Sequence, residues 1–367
     1  MPETSATEPI VDVVVAAHDT RRRVDRTVAS VLDDVRTPVR VLVVSHHVPA
    51  QEMAAALGGA ADDERVLVVE HTDGKRSPSG PFNRGLTMGS SEFVMIIGSD
   101  DYLAPGAVDR WVEHARAHGT DYLIAPRHDQ DGAVWHDPLS RRGHTIGLDV
   151  VRDRLAYRAA PLGLIRRSFL SNVGLLLTED VPTGVDIELG LALLVGGGQV
   201  DFDPHLPPYV IGTDAPVRIT LAPRPAREEL AALLHLVTTS WPRRLPARQR
   251  HAIVVKLWRL NVVPAIVRRP EADQWSAGDL EALGTVTRWL RELAPRAEQS
   301  LSRPERRITD ATAGPSTPGD LERAVASIGR TSRLGRVMTR RPWHLLDVDG
   351  PLRRELAVRT RRQATAP

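Results

Sequence analysis

The chain has 367 residues, 42% of them hydrophobic and 26% charged, with a formal net charge of +2 and only 4% aromatic residues. That balance describes a globular protein with room for one large domain and an appendage. It argues against a nucleic-acid binder, which calls for a larger basic excess and stacking aromatics, and the absence of cysteine excludes disulfides, thiolate catalysis and cysteine–zinc sites.

Residues 1–9 read as a loose polar tail without an apolar signal core. No apolar run approaches the roughly 18–20 residues that cross a bilayer, so the expected location is the cytoplasm, with a peripheral place at the inner membrane face as a further option. Residues 10–17 are a nearly continuous valine-rich run, the pattern of a strand buried on both faces. Residues 22–35 carry Val24, Val28, Val31, Leu32 and Val35 on one helical stripe. Residues 39–44 predict a second strand, 49–57 a helix, 66–69 a third strand and 93–97 a fourth. Pro105 opens a helix at a position proline favours, with Val108, Trp111, Val112 and Ala115 on one face. Another strand is expected at 122–125. Strands alternating with helices imply a mostly parallel sheet covered on both faces, with ligands bound outside the carboxyl ends of its strands.

Residues 127–161 are polar and weakly periodic, and read as long loops able to cover an acceptor. Order returns at 162–174 and 184–195, and the catalytic domain is expected to span 10–220. Residues 221–308 form a helical region, with helices at 226–237, 247–263 and 277–293; Ser276 and Asp279 stand in a capping-box-like arrangement before the last. Residues 309–319 are small, polar and proline-containing, a linker composition. Residues 320–367 make a basic helical tail, with ten arginines against three acids from Arg330 onward. Such a tail is either solvated or a grip for an anionic polymer, an anionic membrane surface or another protein subunit, a second copy included.

Two segments carry chemistry. Residues 83–106 read NRGLTMGSSEFVMIIGSDDYLAPG: a helix feeds a buried strand that ends in Gly98, Ser99, Asp100 and Asp101. Adjacent acids at the end of an apolar strand are costly unless something uses them. A hard divalent cation, Mn2+ or Mg2+, is one user; a turn and a helix cap are the plainer one. Residues 184–194 read GVDIELGLALL, which places Asp186 at or just before the first turn of an apolar helix, either as a general base for a hydroxyl or as a cap.

Three blocks in this order, residues 10–32, 83–106 and 164–194, resemble family 2 of the inverting glycosyltransferases of bacteria, over roughly residues 9–220. The resemblance implies an α/β GT-A fold, Rossmann-like, with a mostly parallel sheet, helices on both faces and a smaller, mainly α-helical C-terminal region after it. It implies transfer of a hexosyl or N-acetylhexosaminyl group from a nucleotide-sugar donor, by family habit UDP-linked. The acceptor would be a hydroxyl on a cell-envelope polysaccharide, a polyol-phosphate polymer or a similar glycan. By position, Asp100 and Asp101 would hold the metal, Asp186 would be the catalytic base, and Ala16, Ala17, His18, Asp19, His46, Arg76, Asn83, Arg84 and Asp100 would bind the donor.

The sequence departs from the family pattern at several points. His18 and Asp19 replace an aromatic and Asn or Glu, Ser45 and His46 replace two acids that read the base, Gly98 replaces the first metal acid, and Phe82 replaces an arginine. A histidine at a strand end is also a common surface or capping residue. These departures leave open a non-catalytic relative that binds a nucleotide sugar or glycan. A nucleotidyltransferase and a nicotinamide dehydrogenase are disfavoured, because no glycine-rich loop follows the first strand.

Overall fold

The computed structural model describes residues 8–214, 224–329 and 331–364. Strand and helix alternate from the first valine run: β1 (Val11–Ala17), α1 (Val24–Leu32), β2 (Val39–His46), α2 (Ala50–Leu57), β3 (Val66–His71), α3 (Ser79–Met88) and β4 (Phe93–Gly98). There follow β5 (Tyr102–Leu103), α4 (Ala107–His118), β6 (Tyr122–Ile124), β7 (Arg127–Asp129), β8 (Val134–Trp135), β9 (Gly163–Arg166), α5 (Arg167–Val173), α6 (Ile187–Val195), β10 (Val200–Asp201) and β11 (Tyr209–Ile211).

Seven strands form one sheet in the order β10-β6-β9-β4-β1-β2-β3. β1 pairs in parallel with both β2 and β4, while β9 runs antiparallel to β4 and β6. From β1 the chain moves outward through β2 to β3, then returns to place β4 on the other side of β1. That reversal opens a crevice at the carboxyl ends of β1 and β4, where ligands bind in open α/β sheets. The valine run of β1 serves both faces. Val11, Val13 and Val15 pack with Val24, Val28 and Trp111 of α1 and α4, while Val14 joins Leu42, Leu86 and Val94 on the opposite face. A second sheet, β5-β11-β7-β8, lies across the mouth of this crevice, with β11 antiparallel to β5 and parallel to β7.

The helical region continues the core on the Val14 face. Leu230, Leu233, Val255, Trp258, Leu283, Val286 and Ile308 are fully buried in the same apolar cluster as Val14 and Leu42. Helix Ala277–Leu293 starts where the sequence places its cap. Ser276 Oγ accepts from the Asp279 N–H at 3.2 Å and the Asp279 carboxylate accepts from the Ser276 N–H at 3.1 Å.

Some boundaries differ from the sequence reading. α4 starts at Ala107, because Gly106 takes a left-handed conformation (φ 72°) that ends the turn after Pro105. The expected linker at 309–319 begins inside helix Arg303–Asp310 and is clasped by Arg291, whose guanidinium donates to the carbonyls of Thr309 (2.7 Å) and Thr312 (2.6 Å). The basic tail is docked: Arg259 donates to the carbonyl of Asp349 at 3.1 Å, and Arg154 to that of Val348 at 2.7 Å. The boundary expected near residue 220 and most of the expected N-terminal tail, residues 1–7, lie outside the described residues. Among the described residues no helix is long and apolar enough to cross a membrane.

Candidate functional site

The carboxyl ends of β1, β2 and β4 surround a cavity of about 570 Å³. Its wall includes Ala16, Ala17 and His18 after β1, His46 and His47 after β2, Lys75 and Arg76 before α3, Gly98 to Asp101 after β4, and Ile211 and Gly212 from β11. The two aspartates converge here. A Cβ built on Gly98 would lie 2.8 Å from Asp101 Oδ2 and 3.2 Å from Asp100 Oδ1. An aspartate at position 98 would crowd both.

β11 explains how Asp101 is held. It pairs Tyr209 with Leu103, immediately past the aspartates. The Tyr209 hydroxyl donates to Asp101 Oδ2 at 2.5 Å and the Gly212 N–H to Oδ1 at 2.9 Å. Gly212 must be glycine, since a Cβ would sit 1.8 Å from the Asp100 carbonyl oxygen. Burial pushes the Asp101 carboxyl up to about 6, the Tyr209 hydrogen bond opposing that shift and the neighbouring Asp100 charge adding to it. Asp100 faces a cation of its own, Arg22 Nη1 at 3.0 Å from Oδ2.

Asp186 is the N-cap residue of α6, but its side chain makes no capping hydrogen bond. It lies off the wall of the 570 Å³ cavity. Burial raises its pKa, and the charges of Lys256 and Arg127 oppose that rise. Lys256 comes from the helical region, on helix Ala247–Leu257, and is only 4% exposed. Burial pulls its ammonium down to about 8, with Asp186 partly restoring it. A second cavity, of about 870 Å³, opens beside the start of α6, where Gly184 and Ile187 meet Arg224, Arg268, Arg269 and Trp275 of the helical region.

Residues 12–174 match the family model described as Glycosyl transferase family 2. The chain carries a family 2 glycosyltransferase domain. Its fold is GT-A: S. aureus TarS 1–349, solved in complex with UDP-GlcNAc, matches with a TM-score of 0.71 over 87% of this chain and 91% of that one, at 13% identity. The succinoglycan biosynthesis protein ExoU of Rhizobium meliloti is 26% identical over 212 residues, 53% of this chain and 60% of that protein. ExoO of the same organism is 29% identical over 116 residues, 32% of each chain. The poly(ribitol-phosphate) beta-glucosyltransferase of Bacillus spizizenii is 22% identical over 107 residues, 29% of this chain and 17% of its own. The chain thus spans between 17% and 60% of the length of these curated relatives.

Within the glycosyltransferase domain, the cavity wall gathers Ala16, Ala17, His18, His46, Arg76, Asp100 and Asp101 of the residues expected from sequence. Asp19, Asn83 and Arg84 stand off it. Asp19 is bound by Arg21 in a two-pronged ion pair at 2.9 and 2.8 Å, and Arg84 is exposed. Asn83 is buried with its amide fully engaged, donating to the Leu177 carbonyl (2.9 Å) and to Glu179 (3.3 Å) and accepting from the Leu177 N–H (3.0 Å). It therefore ties α3 to the loop before Asp186. The sequence reading missed Arg22, His47, Tyr209 and Lys256. Only Arg22 left a local signal, in the run Arg21 to Arg23 beside the first loop.

The residues present fit a hard divalent cation. Two carboxylates converge on an open cavity, and a cation there would offset the burial and the Asp100 charge that push the Asp101 carboxyl up. Asp100 and Asp101 are the residues that would hold it.

Proposed function

We propose that this protein is an inverting glycosyltransferase that moves a hexosyl or N-acetylhexosaminyl group from a UDP-linked sugar to a hydroxyl of a cell-envelope polysaccharide or polyol-phosphate polymer. The observation that carries the reading is the crevice at the β1–β4 reversal, within the family 2 match, in which adjacent aspartates face Lys75 and Arg76 across a nucleotide-sized cavity. TarS, solved with UDP-GlcNAc and with UDP, and the glucosyltransferase of Bacillus spizizenii support the choice of donor and acceptor class.

In this reading Ala16, Ala17, His18 and His46 contact the nucleoside, and Lys75 and Arg76 attract the diphosphate. Mn2+ or Mg2+ held by Asp100 and Asp101 supplies charge neutralisation to the leaving diphosphate. Asp186 takes the proton of the acceptor hydroxyl as that oxygen attacks the anomeric carbon. Inversion requires the acceptor, and the base that deprotonates it, to approach from the face opposite the leaving group. The raised pKa of Asp186 makes it a stronger proton acceptor than an exposed carboxylate. The 870 Å³ cavity beside α6 is the acceptor approach; its Arg268 and Arg269 are paired with Glu229. The protein would work in the cytoplasm, at the inner membrane face.

One observation favours a second reading, a non-catalytic relative that only binds a nucleotide sugar or glycan. Arg22, Tyr209 and Gly212 already satisfy both aspartates without a cation. Release of UDP from UDP-glucose and UDP-GlcNAc, followed with and without Mn2+, separates the two. Metal-stimulated turnover supports the enzyme, and binding without turnover supports the binding protein.

A further inference from the structure

A second constellation lies on the far wall of the same cavity, at the ends of β2 and β3. His46 closes β2 and His71 closes β3, paired across the sheet. Successive residues of a strand point to opposite faces, so His46 and His47 would ordinarily diverge. His47 instead takes a left-handed conformation, φ 59°, which is uncommon for a residue with a side chain and is retained where surrounding structure demands it. The turn brings the two imidazoles together, with ring centroids 4.0 Å apart and planes tilted by 34°.

Asp73 is the point on which they converge. His46 Nε2 lies 2.8 Å and His47 Nε2 3.2 Å from Asp73 Oδ1, and His71 Nε2 lies 3.3 Å from Oδ2. The ligand atoms of His46, His47 and Asp73 all fall within 4.8 Å of one another. Helix α3 begins against this cluster, and Gly80 lets it do so: a Cβ there would stand 2.2 Å from Asp73 Oδ2 and 2.8 Å from His71 Nε2.

We propose that His46, His47 and Asp73 form a second cation site, with His71 held against the other oxygen of Asp73, nitrogen-rich and suited to Zn2+ or a similar borderline transition-metal ion, distinct from the oxygen-only pair Asp100 and Asp101. Two imidazoles and one carboxylate are a donor set for Zn2+, Co2+ or Ni2+, whereas Mg2+ and Mn2+ prefer oxygen. The protonation states agree with this. Burial lowers the His46 pKa and so favours the neutral ring, whose Nε2 proton, now shared with Asp73, an ion would displace. Burial raises the Asp73 carboxyl, but the hydrogen bonds of His46 and the Lys75 N–H outweigh it and hold Asp73 anionic. His47 Nε2 also lies 3.0 Å from the Lys75 carbonyl, so this ring turns from that carbonyl to bind. An ion here would pin the ends of β2 and β3 to the Lys75–Arg76 turn and so fix one wall of the cavity. The site does not depend on the glycosyl-transfer reading.

The test uses the full chain without an affinity tag, stripped of metal by chelation and titrated with Co2+ followed by visible absorption, with Zn2+ as competitor. The expected result is one Co2+ per chain with the intense spectrum of a low-coordinate nitrogen site, displaced by Zn2+. It should persist in the Asp100→Asn/Asp101→Asn double variant. Affinity should fall by about tenfold or more in His47→Ala and in Asp73→Asn. His47 is partly exposed, so its variant should keep the wild-type circular dichroism. No Co2+ uptake, uptake indifferent to both His47→Ala and Asp73→Asn, or uptake lost with Asp100 and Asp101 would each overturn the proposal. UDP binding measured on the same samples reports on the glycosyltransferase reading separately.

Discussion

At the carboxyl ends of β1, β2 and β4, charged side chains face a cavity; in the helical half they face one another. Asp100, Asp101, Lys75 and Arg76 line open space, even though Lys75 also meets Glu179 and Asp180, Asp100 meets Arg22 and Asp101 meets Tyr209. Arg259, by contrast, is 6% exposed and wholly spent on the protein. It donates to Glu305 at 2.8 Å, to the Ser300 carbonyl at 3.1 Å and to the Asp349 carbonyl at 3.1 Å, and it meets the Tyr157 hydroxyl. Arg291 is used in the same way, on Glu298 (2.9 Å), Thr309 and Thr312. The contrast teaches that arginine content alone does not mark a binding surface. What marks one is whether the guanidinium has been left something to hold.

The largest expected effect tests the open half. Asp186→Asn removes the proposed proton acceptor and should lower transfer by about 10²–10⁴-fold while UDP affinity stays within about twofold, read by UDP release and calorimetry. Normal turnover in that variant would take Asp186 out of the reaction. Next comes the closed half. Arg259→Ala removes a buried guanidinium from the half-buried Glu305, which keeps only its bond from the Ser302 N–H, and should cost about 3 kcal/mol in urea unfolding; a loss below about 1 kcal/mol would show the network to be incidental.

The third expectation concerns pH. The folded value of Asp101 lies near 6, above its ordinary 3.8. The metal-free protein therefore gains stability from this group fully below 3.8, and loses it as pH rises through 6. A cation must displace that proton, so Mn2+ affinity should fall about tenfold for each pH unit below 6. A flat response between pH 5 and 7 would remove Asp101 from the cation's ligands. The smallest effect belongs to the surface of the tail. Arg359→Ala breaks an exposed pair with Glu355 at 3.2 Å and should change stability by less than about 0.5 kcal/mol. A larger change would mean that this helix carries more than its described contacts show.

How much of this was legible follows the same divide. The valine runs predicted β1 and β2 because a strand buried on both faces carries few polar residues; the exception in β1, the buried Asp12, is held by Arg40 and Arg167. The aspartates after β4 stood out because acids at the end of such a run have no cheap place to go. Tyr209 was invisible, since it reaches Asp101 only through the pairing of β11 with β5, more than a hundred residues apart in the chain. The partners of Asn83 were equally hidden: its amide bonds to Leu177, 94 residues further along the chain. In the helical half, periodicity and the Ser276 cap located helix Ala277–Leu293. A stripe of leucines says that a helix is buried on one face and not against what. Lys256 beside Asp186, and the docking of 309–312 under Arg291, therefore had no sequence signature.

The central claim is that the cavity at the β1–β4 reversal holds a nucleoside diphosphate through a cation on Asp100 and Asp101. Calorimetric titration of UDP into the metal-stripped protein, with and without Mn2+, tests it most directly. The account predicts one UDP per chain, dependent on Mn2+ and abolished in Asp100→Asn/Asp101→Asn. Absence of UDP binding in Mn2+, or binding that the double variant leaves intact, would contradict it.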